Sequence, residues 1–215
     1  MKSKSTNVFW ASYADLMTAL FIVMLALFIL SYKLFQDRQS ELIVLANQYQ
    51  KIREIEAALS ALEGEYFRFD SINRRHELKL DIAFRSGKAD IAPSYYNELK
   101  EAGEKLTNTI KNIKTDQPVR YVVIIEGMAA RYTNPRDEWK NTSERDFTYG
   151  LSYQRALALY KFWESNGVTF DRNTFEVIIA GSGFFGAGRY TGAQETRNKR
   201  FLIQVIPKIG VLEKR

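Results

Sequence analysis

The chain has no cysteine and a single histidine, His76. The first absence excludes a disulfide framework and a thiolate metal site. The second excludes a histidine-rich metal centre, and it leaves His76 as the one imidazole any Ser-His-Asp triad could use. Glycine and proline are both missing until Gly64, so nothing in the first 63 residues breaks a helix. Charge is also missing where it is usually common. Phe9 to Tyr32 contains one ionisable carboxylate, Asp15, and no basic residue. No paired-carboxylate or metal-ligand cluster stands out elsewhere, so an enzyme is not expected, and neither is a cofactor or a metal. Gly181, Gly183, Gly186, Gly188 and Gly192 form a glycine-rich loop. It lacks the strand-to-helix context and the following Lys-Ser/Thr of a phosphate loop, which argues against a nucleotide site.

What is present begins with apolar density. The run from Phe9 to Tyr32 would span ~36 Å as a helix, enough to cross a hydrocarbon core of ~30 Å. Aromatic residues gather at both ends, Phe9, Trp10 and Tyr13 on one side and Phe28, Tyr32 and Phe35 on the other, as in interfacial belts. Lys2 and Lys4 precede the span without an acid, whereas Lys33 and Arg38 are mixed with Asp37, an asymmetry that favours a cytoplasmic N-terminus. A secretory signal is the rival reading. Its apolar region is shorter and ends at a small-residue cleavage site, which this sequence lacks, so retention is expected.

Asp15 is costly at that position, by about 2.5–3.5 kcal/mol near a helix centre. It could reach back toward the headgroup layer, although aspartate is short for this. Alternatively it faces a protein interior and exchanges a proton from one side to the other. The span offers no second charge, so a partner would have to come from another chain.

Residues 36–63 keep a helical pattern, with Leu42, Leu45, Tyr49, Ile52, Leu59 and Leu62 mostly three or four apart. This fits a stalk helix pairing with a copy of itself, or an amphipathic helix packed on its own domain. The organisation expected is a tail over 1–8, a transmembrane helix over 9–35, a stalk over 36–64 and a domain over 65–215. The formal charge of +6 falls entirely within this last segment once the others cancel. It is spread without a Lys/Arg run and fits an anionic polymer in general; cell wall qualifies as well as nucleic acid does.

In the domain, alternation predicts strands over Glu77–Phe84, Tyr121–Glu126, Glu176–Ala180 and Phe201–Ile206. Helices are expected from Ser94 to about Asn112, opened by Pro93, and over Leu151–Asn166, closed by Gly167. The order β-α-β-α-β-β defines an α+β fold, a two-layer α/β sandwich with helices on one sheet face. His76 is expected at the surface.

Two stretches carry resemblances. Trp10-Ala11-Ser12-Tyr13-Ala14-Asp15-Leu16-Met17-Thr18-Ala19 resembles the start of the B subunits of ion-driven membrane motors, the MotB-like family. Its short Trp-to-Asp spacing is most similar to the ZorB subunits of Zorya anti-phage defence. The resemblance implies that Asp15 carries the ion, a proton more readily than sodium, with Tyr13 and Thr18 as neighbours on the ion pathway. It also implies a homodimer inside a ring of A-type (MotA/ZorA-like) membrane subunits. A flagellar stator subunit and a passive wall tether are the alternatives.

Residues 76–207 resemble the OmpA-like peptidoglycan-binding domain. The resemblance rests on Phe84–Pro93, Ile125-Glu126-Gly127, Leu151-Ser152-Tyr153-Gln154-Arg155-Ala156, Gly181-Ser182-Gly183 and Asn198-Lys199-Arg200. It implies an inner-membrane protein with a periplasmic domain on peptidoglycan, and no nucleic-acid partner. It also assigns wall-peptide binding to Arg155 together with an aspartate. That aspartate is absent: Ala130 stands in its place. Asp137 or Asp146, in the polar stretch Arg131–Gly150, could fold back to replace it, and a solvated helix arginine is the plain alternative for Arg155.

Overall fold

A computed structural model describes residues 6–80, 82, 84–114, 119–131 and 142–208, with side chains described from Trp10 onward. The chain divides into two compact units, 1–51 and 52–213.

Over its described residues the first unit is helix. α1 runs from Thr6 to Leu59 without interruption, as the lack of glycine and proline requires. Its polar residues return hydrogen bonds to their own backbone. Thr18 Oγ1 donates to the Ala14 carbonyl at 2.8 Å and Ser40 Oγ to the Asp37 carbonyl at 2.7 Å. Every described side chain from Trp10 to Ile43 is exposed, including Leu16, Phe21 and Phe28. It is a helix long and apolar enough to cross a membrane, and its apolar surface runs all the way round, which water does not tolerate at this extent.

The second unit opens with the end of α1. Ile55, Leu59 and Leu62 are buried in the core of the unit. The helical segment after residue 35 therefore has two fates. Its last two turns pack on the domain, whereas Leu42, Leu45 and Tyr49 remain exposed.

A hairpin follows, β1 (Phe67–Asp70) and β2 (Arg75–Leu78). Asp70 shapes its turn, accepting hydrogen bonds from the Asn73 backbone N–H at 3.1 Å and from Asn73 Nδ2 at 2.8 Å. α2 (Tyr96–Lys111), β3 (Arg120–Gly127), α3 (Thr142–Ser165), β4 (Phe175–Gly181) and β5 (Phe201–Lys208) complete the unit. The sheet order is β1-β2-β5-β3-β4, with β3 and β4 parallel and the other pairs antiparallel.

The two-layer α/β class is the one expected from the sequence, with one strand more. β1 is only four residues long, too short an alternation to stand out. β2 also stops at Leu78 rather than Phe84. Beyond it, local turns satisfy the backbone, Ile82 N–H to the Leu80 carbonyl at 3.0 Å and Phe84 N–H to the Ile82 carbonyl at 2.9 Å. α3 starts nine residues before the expected Leu151. Its first turn is polar, and the second adds only an exposed Phe147 and a buried Thr148, so no apolar period shows, while Glu144 in the first turn suits the positive end of the helix dipole.

Tyr121, Val123 and Ile125 of β3 pack with Leu99, Leu106, Leu159 and Trp163 of the helices in one core. Close approach of α3 to the sheet needs glycine at two points. A Cβ on Gly127 would lie 2.1 Å from the Ser152 carbonyl oxygen, and one on Gly181 would lie 2.4 Å from the Tyr153 nitrogen. Gly167, at φ +84°, ends α3 as its position predicted, and the Val168 N–H reaches back to the Trp163 carbonyl at 3.0 Å.

Candidate functional site

Three places in the chain concentrate the chemistry, and they differ in kind. The first is Asp15 on α1. Helical geometry places Thr18 on the same face, three residues on, and puts Tyr13 round the far side, since residues two apart do not face each other. Tyr13 instead lies edge-on to Trp10, ring centroids 6.2 Å apart. No ion pair involves Asp15 among the described residues, and the span supplies no cation that could make one.

The second place surrounds Arg155. This arginine is not solvated. It lies in the middle of α3 and is 1% exposed. Its Nε donates to the Lys88 carbonyl at 3.2 Å, and its guanidinium sits 4.5 Å from the centroid of the Phe84 ring. Two of the expected motif pieces thus meet, the Phe84–Pro93 segment and the Leu151–Ala156 segment. A third joins through Ser152, whose Oγ accepts the Gly183 N–H at 2.9 Å.

Ala130 is buried at the exit of β3 and contributes no acid. Asp146 does not replace it. Nine residues before Arg155 on one helix, it lies about half a turn round the axis, and its largely exposed carboxylate meets Arg145 at 3.5 Å. Asp137 lies outside the described residues. Among the described residues, Glu195 brings a carboxylate to this strand exit, accepting the Arg131 N–H at 2.9 Å and pairing with Arg189. No pattern in the sequence singles out Glu195; it arrives from a short 3-10 helix, Gly192–Asn198, sixty residues downstream.

The third place is a clasp of arginines that holds the glycine-rich loop. Arg200 is buried, contacts Glu77 at 2.8 Å, donates to the Gly188 carbonyl at 2.6 Å and covers the Tyr190 ring at 4.5 Å. Arg75 is buried too, donating to the Ala187 carbonyl at 2.6 Å, with Glu126 at 3.4 Å and Asp70 at 3.6 Å. Asn198 is fully buried; its side chain accepts the Tyr190 N–H and donates to the Tyr190 carbonyl, both at 2.9 Å. The Asn198-Lys199-Arg200 piece therefore folds the loop, and the loop is tied down rather than free.

Charge within the clasp is tuned. Burial pushes the Asp70 carboxyl up, but hydrogen bonds from Asn73 and the charge of Arg75 outweigh it and hold Asp70 below the usual carboxylate range. Elsewhere the Tyr66 hydroxyl bonds the Glu101 carboxylate and is pushed up to about 12. His76 is buried at 4% exposure, against the expectation of a surface histidine. Arg74 in the preceding turn and Arg75 at the start of β2 read as polar in sequence, but alternation along β2 puts His76 on the face of buried Leu78. Among the described residues, no group of three or more acids and histidines could hold a metal ion.

No protein-family model matches the chain, and no curated protein matches it. Solved structures with a similar outline include the OmpA-like domain of FopA1 from Francisella tularensis subsp. tularensis SCHU S4, at 19% identity over 66% of this chain and 77% of that one, TM-score 0.39. The periplasmic domain of Helicobacter pylori MotB is similar at 13% identity over 66% of this chain and 89% of that one, TM-score 0.43. The cell wall anchor of the T6SS from Pseudomonas aeruginosa is similar at 16% identity over 69% and 94%, TM-score 0.41. At such scores these likenesses say nothing of the ligands or partners of this chain.

Proposed function

We propose that this chain is the ion-carrying B-type subunit of a membrane motor, with Asp15 as the group that takes up and releases the ion. The single observation that carries the proposal is the Trp10–Ala19 block, set in an apolar span whose described side chains are exposed on every side, with one carboxylate and no counter-ion within the span. A carboxylate in that setting needs surrounding chains, which a ring of A-type subunits around a homodimer would supply. The ion is a proton in this reading, the membrane is the bacterial inner membrane, and the domain is periplasmic. The short Trp10-to-Asp15 spacing favours anti-phage defence of the Zorya type over flagellar motility.

The domain would then hold the unit to peptidoglycan, with Arg155 gripping a carboxylate of the wall peptide. The burial of Arg155 beneath Phe84 and Lys88 adds a condition: the Phe84–Asp90 segment has to move for a ligand to reach the guanidinium.

The decisive experiment is Asp15→Asn in the full chain, co-expressed with its A-type partner, with assembly checked by co-purification. Ion flux and motor-dependent function are expected to vanish while the complex assembles. Function that persists in an assembled Asp15→Asn complex would sink the ion-carrier assignment and favour a passive tether.

A further inference from the structure

The only histidine of the chain is buried where α1 ends. Its ring lies 5.0 Å from the Phe69 ring and 6.4 Å from the Phe67 ring, centroid to centroid. On the neighbouring strand it sits opposite Ile203. Neither ring nitrogen has a partner of proper hydrogen-bond geometry, although the backbone of Leu59, at the last residue of α1, faces the imidazole. Around it several polar bonds also fasten the helix end and the following turn to the hairpin. Glu56 pairs with Arg74, Gly64 N–H bonds the Phe67 carbonyl at 3.0 Å, and Lys79 Nζ donates to the Gly64 carbonyl at 2.7 Å. Ile55, Leu59 and Leu62 add apolar packing in the core.

The charged groups of each packed element show what a proton on His76 would meet. On β1, Arg68 is engaged with Glu77 and Tyr190, and Asp70 with Asn73 and Arg75. On β5, Arg200 is engaged with Glu77 and Gly188. On α2, Glu101 accepts the Tyr66 hydroxyl, and Lys105 borders the shallow cleft over Ala61–Tyr66. On α1, Glu56 is held by Arg74. Among the described residues Glu63 places a negative charge in favour of the imidazolium, and burial outweighs it together with the Leu59 backbone. The neutral ring is the form this site accepts.

We propose that His76 is an acid latch, whose protonation releases the last turns of α1 and the following turn, residues 52–62, from the β1–β2 hairpin. A charged ring cannot stay between Phe67 and Phe69 without water, and the least costly route to water is to lift the short segment that covers it. The sign follows from linkage. The folded-state pKa of His76 lies below the usual 6.5 because of burial. The stability it contributes is complete above that usual value and is lost as pH falls through it toward the folded value. Acid on the side of the membrane that holds the domain would thus slacken the join between α1 and the sheet. The latch does not depend on the motor assignment; it rests on groups of the second unit alone.

The test uses the full chain in nanodiscs. Amide exchange over residues 52–62, corrected for intrinsic pH dependence, is followed from about pH 7.5 to 5, the range in which a histidine changes charge. The wild type is expected to exchange severalfold faster at the acid end, and His76→Phe to show no such rise. Because the chain has one histidine, selective labelling gives a single imidazole resonance, and this needs no variant; it is expected to titrate below the usual value. Titration at or above the usual value, unchanged exchange in the wild type, or an equal rise in His76→Phe would each overturn the latch. Asp15→Asn leaves all these readouts unchanged, so failure of the ion-carrier assignment and failure of the latch are separate results.

Discussion

The two units of this chain treat charge in opposite ways. The helical unit carries one carboxylate in an apolar span and gives it no cation. The sheet unit buries arginines, and around two of them, Arg75 and Arg200, it places carboxylates and carbonyl oxygens. The second arrangement is what a stable fold needs, since an unpaired buried charge costs several kcal/mol. The first is what a working group needs when its partners belong to another chain. Under the proposed function, the ionisable residue without local compensation is the working group, and the compensated ones hold the fold.

The largest effect expected on the structural side is at Trp163. Its indole is fully buried, packs over Gly103 and donates to the Leu99 carbonyl at 2.6 Å. Trp163→Ala should cost the domain about 3–5 kcal/mol, from lost packing and the cavity left behind. Chemical denaturation of the full chain in detergent, followed by far-UV circular dichroism, measures it. Arg200→Met comes next. It strips Glu77 of one cation and the Gly188 carbonyl of its donor, while Arg68 still pairs with Glu77. A loss of about 2–3 kcal/mol is expected, less than for a fully orphaned buried ion. The double variant Arg200→Met, Glu77→Leu should recover part of it, and a strictly additive double variant would break the claim that the two residues act as a pair.

How much of this was legible beforehand differs between the units for a physical reason. Helical and membrane-like character is written locally, in composition and in the absence of glycine and proline, so α1 could be read directly. The long strands β3 and β5 and the helix α2 were legible because each repeats an amphipathic period over several turns or pleats. β1 was not, because four residues of alternation carry little signal, and its existence depends on pairing with β2. The proposed role of Asp15 rests on its own ten residues. The Arg155 neighbourhood could be read as a set of pieces but not as a geometry. That the Phe84 ring covers Arg155, and that Glu195 meets the backbone at Arg131, are products of contacts far apart in sequence. His76 was misjudged because its flanking arginines suggested a surface, while inward direction is a matter of register and not of neighbours.

A weaker effect than Arg200→Met is expected from Asp70, and it carries a pH signature. Its carboxyl is held below its ordinary value by Asn73 and Arg75. The contribution is present above the unfolded carboxylate value and is lost as pH falls through the lower folded one. Denaturation midpoints of the wild type should therefore decline in the acid range below about pH 4. Asp70→Asn should show a shallower decline in that range, with a small loss at neutral pH. Parallel curves for the two proteins would remove Asp70 from the set of compensated charges. The hairpin turn also uses Asp70, so Asn is the substitution of choice, because it keeps an acceptor for the Asn73 backbone N–H.

The smallest structural effect is expected at Asp15, the residue to which the proposed function gives the largest functional one. No described hydrogen bond or ion pair includes Asp15, and Asp15→Asn or Asp15→Leu should leave the unfolding of the sheet unit unchanged within about 0.5 kcal/mol. Asp15→Leu should do more than leave the helix intact. Removing the carboxylate takes away an insertion penalty of about 2.5–3.5 kcal/mol, so membrane integration, read by the fraction of chain recovered in carbonate-washed membranes, should hold or improve. If ion flux is abolished in a variant that inserts and folds at least as well as the wild type, the uncompensated carboxylate is present for work and not for architecture. If Asp15→Leu instead fails to insert or destabilises the sheet unit, Asp15 has structural partners after all, and the contrast between the two units collapses.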